Sequence, residues 1–267
     1  MNLQDMFGLD GRVALVTGGS RGIGAMIVEG FLAAGCARVY ISARKTAQVE
    51  AAVADFDTRY PGKVIGLPFD LSSVEGCRAL AAEIGGREER LYILVNNAGS
   101  AWGEPFEGFP ESGWDKVMDI NVKSPFFLTQ ALHALLKAAG TQDRPAKVIN
   151  IGSIDGMRLN PWETYSYHAS KAAILYLTKR LAARLVQDHI VVSAIAPGAF
   201  QSDMNKAARD HGDAVSKSIP VKRIGVPEDM AGAAIFLASK AGDYVVGDTI
   251  TVDGGLVHGD LKTSIDA

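Results

Sequence analysis

The sequence predicts an α/β fold in which one doubly wound sandwich is built around a seven-stranded, mainly parallel sheet. Short runs rich in Val and Ile are apolar at nearly every position, as in strands covered on both faces. These runs alternate with helix-length stretches, a pattern that joins parallel strands through right-handed crossovers. The first run breaks into a glycine-rich turn, TGGSRGIG at 17–24, before its helix begins.

In sequence order, RVALV at 12–16 leads to a helical pattern at 23–34, RVYIS at 38–42 to one at 45–57, and VIGLP at 64–68 to one at 73–84. YILVN at 92–96, KVINIG at 147–152 and IVVSAIA at 190–196 follow, and DTITVDGG at 248–255 supplies the seventh strand. No linker, repeat period or low-complexity stretch interrupts them, so residues 1–267 read as a single domain. The polar segment 199–226 follows the carboxyl end of a strand, where open α/β sheets bind ligands, and is expected to cover the substrate.

With 48% hydrophobic residues the protein has enough apolar material for an extensive core, and a formal charge of −3, spread along its length, offers no broad surface to nucleic acid or anionic lipid. Cys36 and Cys77 lie in apolar-periodic stretches and are expected to be buried thiols. MNLQDMFGLDG has no basic region leading into an apolar core, and no run of about 18 apolar residues occurs, so a cytoplasmic protein without a membrane segment is expected. His133, His168, His189, His211 and His258 lack paired ligand spacing, and no metal is expected.

Gly18, Gly19, Ser20, Arg21, Gly22, Ile23 and Gly24 form a strand-to-helix turn of Rossmann type, in which missing side chains let a pyrophosphate approach the backbone and the helix N-terminus. Glycines also serve simple tight turns; the surrounding strand and helix favour dinucleotide binding. NAD-selective sites end the second strand with a carboxylate, but here Ile41-Ser42-Ala43-Arg44-Lys45 carries none. Arg44 and Arg21 instead offer guanidinium groups to a 2′-phosphate, so NADP(H) is expected; the alternative is that Arg44 and Lys45 are solvated residues at a helix start.

Tyr167 and Lys171 stand four apart in a helical stretch beginning near Ser166, on one face and one turn apart. An ammonium beside a phenol stabilises the phenolate, which suits Tyr167 to exchange a proton with a carbonyl or alcohol oxygen. Ser153 ends the strand KVINIG, placed to hydrogen-bond that oxygen. No G-x-S-x-G elbow surrounds it and His168 falls on another helical face from Tyr167, which speaks against a hydrolase triad.

These motifs, with Asp70-Leu71, NNAG at 96–99, Asn121 in DINV, YHASK at 167–171, PG at 197–198 and DGG at 253–255, resemble the short-chain dehydrogenase/reductase family from about Gly11 to Gly255. The resemblance implies that Asp70 and Leu71 contact the adenine, Asn97 the cofactor ribose region, and Lys171 the nicotinamide ribose. It implies also that Asn121 holds a water linking Lys171 to solvent. Pro197, Gly198 and Phe200 would line the nicotinamide, and Ser202 would bond its carboxamide.

Within the family, NNAGSAWG at 96–103, GWDKVMDINV at 113–122, VINIGSIDG at 148–156 and SIPVKRIGVPEDMAG at 218–232 are similar to 3-oxoacyl-(acyl-carrier-protein) reductases, especially those of the rhamnolipid-pathway branch. The expected substrate is a small carbonyl compound or alcohol. A polyol, sugar-acid or hydroxysteroid dehydrogenase uses the same machinery, and a non-catalytic NADP(H) sensor is the reading that the intact Ser153, Tyr167 and Lys171 oppose. Carrier-protein reductases of the family present two arginines at the site mouth; Arg144 matches one, whereas Asp188 stands where the other aligns. Trp102, Met157, Trp162, Phe200 and Met204 are candidates for an apolar cleft wall. The resemblance also implies a homotetramer or homodimer, with residues 254–267 contributing.

Overall fold

The computed structural model describes residues 2–202 and 206–259, so Met204 and residues 260–267 lie outside the described residues. Strands β1 (Val13–Thr17), β2 (Arg38–Ala43), β3 (Val64–Pro68), β4 (Ile93–Asn96), β5 (Ala146–Ile151), β6 (Ile190–Pro197) and β7 (Thr249–Val252) form one sheet in the order β3-β2-β1-β4-β5-β6-β7. Every adjacent pair is parallel, so the sheet is wholly rather than mainly parallel.

In sequence order the α-helices are α1 (Leu3–Phe7), α2 (Gly22–Ala33), α3 (Thr46–Asp57), α4 (Val74–Gly85), α5 (Glu111–Met118), α6 (Ser124–Ala131), α7 (His133–Ala139), α8 (Tyr165–Leu185), α9 (Lys206–Asp210), α10 (Gly212–Ser218) and α11 (Pro227–Ala238). Among the described residues, no helix is long and apolar enough to cross a membrane.

The sheet divides the core in two because alternate strand residues face opposite ways. Ala14 and Val16 of β1 join Ile149 and Ile151 of β5 on one face, under Ile27 and Phe31 of α2, Phe56 of α3 and Met230 of α11. Leu15, Ala146 and Val148 face the other way, under Leu80 of α4, Leu128 of α6, Leu136 of α7 and Leu185 of α8. Both thiols are free and buried, Cys36 in the first cluster and Cys77 in the second, with the sheet between them.

The edges of the elements differ from the apolar runs for local reasons. β1 begins after Arg12, whose buried guanidinium donates to the Pro145 carbonyl. β7 ends at Val252, before Gly254 and Gly255 turn the backbone with φ of +66° and +93°. Lys147 lies within the otherwise apolar β5, 1% exposed at its side chain, and its ammonium meets the Asp243 carboxylate at 2.7 Å, the pairing that a buried charge requires.

Helices α2 and α11 cross where Gly30 leaves no room: a Cβ there would stand 2.6 Å from the Ala231 Cβ. Gly30→Val should therefore lower stability by about 1–3 kcal/mol through overpacking, read as a reduced midpoint in urea denaturation.

Candidate active site

The strand order reverses between β1 and β4, and the carboxyl ends of these two strands open the crevice where doubly wound sheets bind ligands. Two side chains tie the crevice together. The Thr17 hydroxyl donates to the Val95 carbonyl at 3.2 Å and accepts the Asn97 and Ala98 N–H groups, both at 2.9 Å. The Asn97 amide returns donors to the Thr17 carbonyl at 2.9 Å and the Gly18 carbonyl at 3.2 Å. Gly18 (φ +66°) and Gly24 fit under this staple only without side chains: Cβ atoms there would lie 2.8 and 2.5 Å from the Asn97 amide nitrogen. Gly24 also faces the Gly18 carbonyl, and Gly19 sits against Ile41. Ser20 accepts a hydrogen bond from Gln48 of α3 at 2.7 Å, and Arg21 caps α2 immediately before Gly22 and Ile23 begin it.

The other residues expected at a cofactor divide by exposure. Arg44 and Asp70 are exposed beyond β2 and β3; Arg44 forms no ion pair among the described residues, and Asp70 accepts the Ser72 N–H at 3.0 Å. The Ser42 side chain is fully buried with an unpartnered hydroxyl, and the residue serves the turn through its carbonyl, which accepts the Gly18 N–H at 2.6 Å. Leu71 is a core residue, 3% exposed. Pro197 ends β6, and Gly198 brings the backbone so near to β7 that a Cβ would stand 2.7 Å from the Asp253 Cα.

Beyond Gly198 the segment expected to cover the substrate carries α9 and α10, and its ends meet. The Gly225 N–H donates to the Ala199 carbonyl at 2.9 Å, and Phe200 pairs with Gly225 in a single parallel bridge. Phe200 is 2% exposed and packs where a Gly225 Cβ would stand, so it forms the base of this flap rather than an open wall. The flap reaches back to the glycine turn, where Gln201, Ser202 and Arg209 enclose with Arg21 and Gly22 a cleft of about 210 Å³.

Ser153 follows β5 and caps the short helical turn Ile154–Gly156, its hydroxyl accepting the Asp155 N–H at 3.1 Å. Tyr167 and Lys171 project from α8. The Lys171 ammonium donates to the Ile151 carbonyl at 2.9 Å and stands 5.5 Å from the Tyr167 ring centroid. Burial pushes the Tyr167 phenol up to about 12; a hydrogen bond with Ser153 works against that rise, and Asp155 adds to it. Burial brings Lys171 down to about 8, with Asp155 opposing.

Asn121 occupies the π-helical turn Asp119–Lys123 between α5 and α6, the kind of widened turn that recurs at functional sites. Its amide accepts the Ser100 N–H and donates to the Ser100 carbonyl and the Ser170 hydroxyl, each at 2.9 Å, tying the loop after β4 to α8. Ser170 in turn donates to the Tyr167 carbonyl at 2.8 Å. Thr17, Ser170 and Asp155 escape notice in the sequence. Thr17 had the clearest signal, a hydroxyl at the end of a buried strand immediately before the glycine turn.

His168 bonds the Thr164 carbonyl at 2.9 Å through Nδ1 and leaves Ser153 without a histidine partner. Trp102 packs on Gly113 of α5 under the Lys116 ammonium, away from the role of cleft wall, whereas Met157 and Trp162 are 41% and 59% exposed. Arg144 and Asp188 precede β5 and β6 and so lie at the amino end of the sheet, opposite its carboxyl edge, in keeping with the doubt that Asp188 cast on a carrier-protein dock. Arg144 donates to the Asp10 carbonyl at 3.0 Å, and Asp188 is enclosed by Lys137 at 2.8 Å and by His133 and Arg184 at 2.9 Å.

A family model described as enoyl-(acyl carrier protein) reductase matches residues 18–257. The protein is 48% identical over 254 residues to a rhamnolipids biosynthesis 3-oxoacyl-[acyl-carrier-protein] reductase of Pseudomonas aeruginosa, covering 93% of this chain and 97% of that protein. It is similar to the structure of the Pseudomonas aeruginosa RhlG/NADP active-site complex, with a TM-score of 0.90, 46% identity and coverage of 96% and 100% of the two chains. A gluconate 5-dehydrogenase from Burkholderia cenocepacia, in complex with NADP and tartrate, matches with a TM-score of 0.85 and 34% identity over 96% of this chain and 98% of that one.

The cations around Asp188 hold its carboxyl well below the usual carboxylate range. Its folded value lies under the unfolded value of about 4, so its contribution to stability is present above that pH and is lost as the pH falls. Asp188→Asn should lower the urea midpoint at pH 7, and the gap to the wild type should shrink as the pH drops below about 4.

Proposed function

The protein belongs to the short-chain dehydrogenase/reductase family, and on that premise we propose that it reduces a ketone to a secondary alcohol with NADPH, Tyr167 delivering the proton. The observation that carries this reading is the gathering of Ser153, Tyr167 and Lys171 at the carboxyl edge of the sheet, with the Lys171 ammonium held on the Ile151 carbonyl 5.5 Å from the Tyr167 ring centroid. The cradle of Gly18, Gly19, Gly22 and Gly24, which Cβ atoms would fill, suits a pyrophosphate, with Ser20, Arg21 and Ile23 presenting the α2 N-terminus. Arg44, exposed and without an acidic neighbour in an ion pair, suits a 2′-phosphate. The NADP complex of the RhlG structure supports the same choice.

Asp70 and the backbone at Leu71 would flank the adenine, Asn97 and Lys171 the ribose groups, and Pro197, Gly198 and Ser202 the nicotinamide. When bound, the nicotinamide supplies or accepts the hydride. The protein manages the proton. With one lone pair engaged by the Asp155 N–H, the Ser153 hydroxyl still has its own proton to donate to a carbonyl oxygen. A phenol pushed up to about 12 stays protonated across neutral pH and serves as the acid in reduction. Lys171 then lies near enough to steady the phenolate and pass it a proton. Because the Asn121 amide is committed to Ser100 and Ser170, its backbone carbonyl is the group we assign to a water on that relay.

A 3-oxoacyl thioester fits the likeness to the rhamnolipid-pathway reductase, and the exposed Met157, Leu159 and Trp162 on the loop after Ser153 offer acyl carbons an apolar rim. Arg144 and Asp188, at the opposite end of the sheet, give no support to a carrier-protein dock at this mouth. A second reading, a sugar-acid dehydrogenase on the same machinery, is favoured by the likeness to the gluconate 5-dehydrogenase. NADPH absorbance followed with acetoacetyl thioesters and with sugar ketones separates the two, and no turnover of any thioester removes the first.

Tyr167→Phe should cut turnover by about 10³-fold while NADPH still binds, as read by nucleotide fluorescence; equal activity overturns the proton assignment. Arg44→Asp should raise KM for NADPH at least about tenfold more than for NADH, since a carboxylate there repels the 2′-phosphate. An unchanged ratio would place the phosphate reader elsewhere.

A further inference from the structure

The turn after Ser153 brings a charge to the site that proton transfer does not require. Asp155 sits two residues beyond Ser153 and gives its N–H to the Ser153 hydroxyl at 3.1 Å. The turn is pressed onto α8 at Lys171: a Cβ on Gly156 would meet the backbone carbonyl carbon and oxygen of Lys171, each at 2.6 Å. The Asp155 carboxylate is half-buried and makes no hydrogen bond or ion pair among the described residues. Its field nevertheless reaches both Tyr167 and Lys171, favouring the protonated form of each.

Nearby cations are engaged elsewhere. Lys171 donates to the Ile151 carbonyl, and Arg158 donates to the Leu256 carbonyl at 2.6 Å. A carbonyl group held by Ser153 and Tyr167 therefore carries its substituents past the Asp155 carboxylate, beside the buried Ser153 and Lys171, where Coulomb repulsion is less screened than in open water. A neutral ester, thioester or amide incurs no such repulsion, and a hydroxyl-bearing substituent can donate to the carboxylate. A substrate carboxylate close to the carbonyl is repelled, and discrimination built on an unfavourable contact is as effective as one built on a favourable contact.

We propose that Asp155 is a specificity-determining residue that turns away substrates with a carboxylate near the reacting carbonyl and admits neutral or hydroxyl-bearing ones. The inference rests on the ketone-reductase reading above and narrows it, toward 3-oxoacyl esters and thioesters and away from free keto acids and sugar acids.

The test uses the full-length protein with NADPH at pH 7 and two probes that share a ketone, ethyl acetoacetate and acetoacetate. The wild type should show the higher kcat/KM for the ester. Asp155→Asn, which keeps the shape and removes the charge, should lower the ester-to-acid ratio by about tenfold, and Asp155→Glu should preserve it. A merely structural role would lower both values together and leave the ratio unchanged, and that result overturns the proposal. Equal kcat/KM for the two probes in the wild type overturns it without any variant. Failure of the wild type to oxidise NADPH with either probe, or with an acetoacetyl thioester, overturns the reductase reading and the inference together.

Discussion

The Thr17 hydroxyl and the Asn97 amide between them accept or supply five hydrogen bonds where β1 and β4 end, and the candidate site depends on that junction. Parallel strands diverge at their carboxyl ends, leaving backbone groups that no ladder satisfies. Here those groups are paired across the gap by two short polar side chains, which leaves the glycine turn fixed at one rim. Ser153, Tyr167 and Lys171 stand further along the same edge, just after β5 and on α8. Because β4 pairs directly with β5, register passes from the turn to Ser153 through the sheet itself.

A different constraint governs Tyr167 and Lys171. Both ionisable groups lie where water is scarce, and burial drives each toward its neutral form, the phenol up and the ammonium down. Their side chains meet one helical turn apart, the Lys171 ammonium 5.5 Å from the Tyr167 ring centroid. Ser153 opposes the trend at the phenol, while Asp155 strengthens the hold on both protons. The phenol is thus kept protonated across neutral pH, the form in which a proton donor must start.

Much of this was legible in the residues. Seven apolar runs became seven strands with edges within a few positions, because a strand covered on both faces must be apolar throughout and few other structures require that. The glycine turn and Ser153, Tyr167 and Lys171 were legible for a similar reason: each sits beside an element whose period is clear. Less visible were features that depend on contacts distant in sequence. Nothing around Phe200 shows that Gly225 will cover it, and no local pattern tells that Asp188 will gather His133, Lys137 and Arg184 at the far end of the sheet. The π-helical turn at Asn121 was equally hidden, since its sequence continues a helical pattern and the extra residue per turn shows only in hydrogen bonds.

The flap over the glycine turn is joined at its base by the Phe200–Gly225 bridge, and that joint bears on how tightly a ligand can be held. Bringing the ends of a long segment together costs conformational entropy that grows with the logarithm of its length. Folding has already met that cost here, before any ligand arrives. A dinucleotide bound in the cleft between this segment and the glycine turn meets ends that are already joined, so more of its contact energy remains as affinity. Loosening the bridge would therefore weaken binding at a distance, through the disorder that the ligand must then remove, without changing any group that touches it.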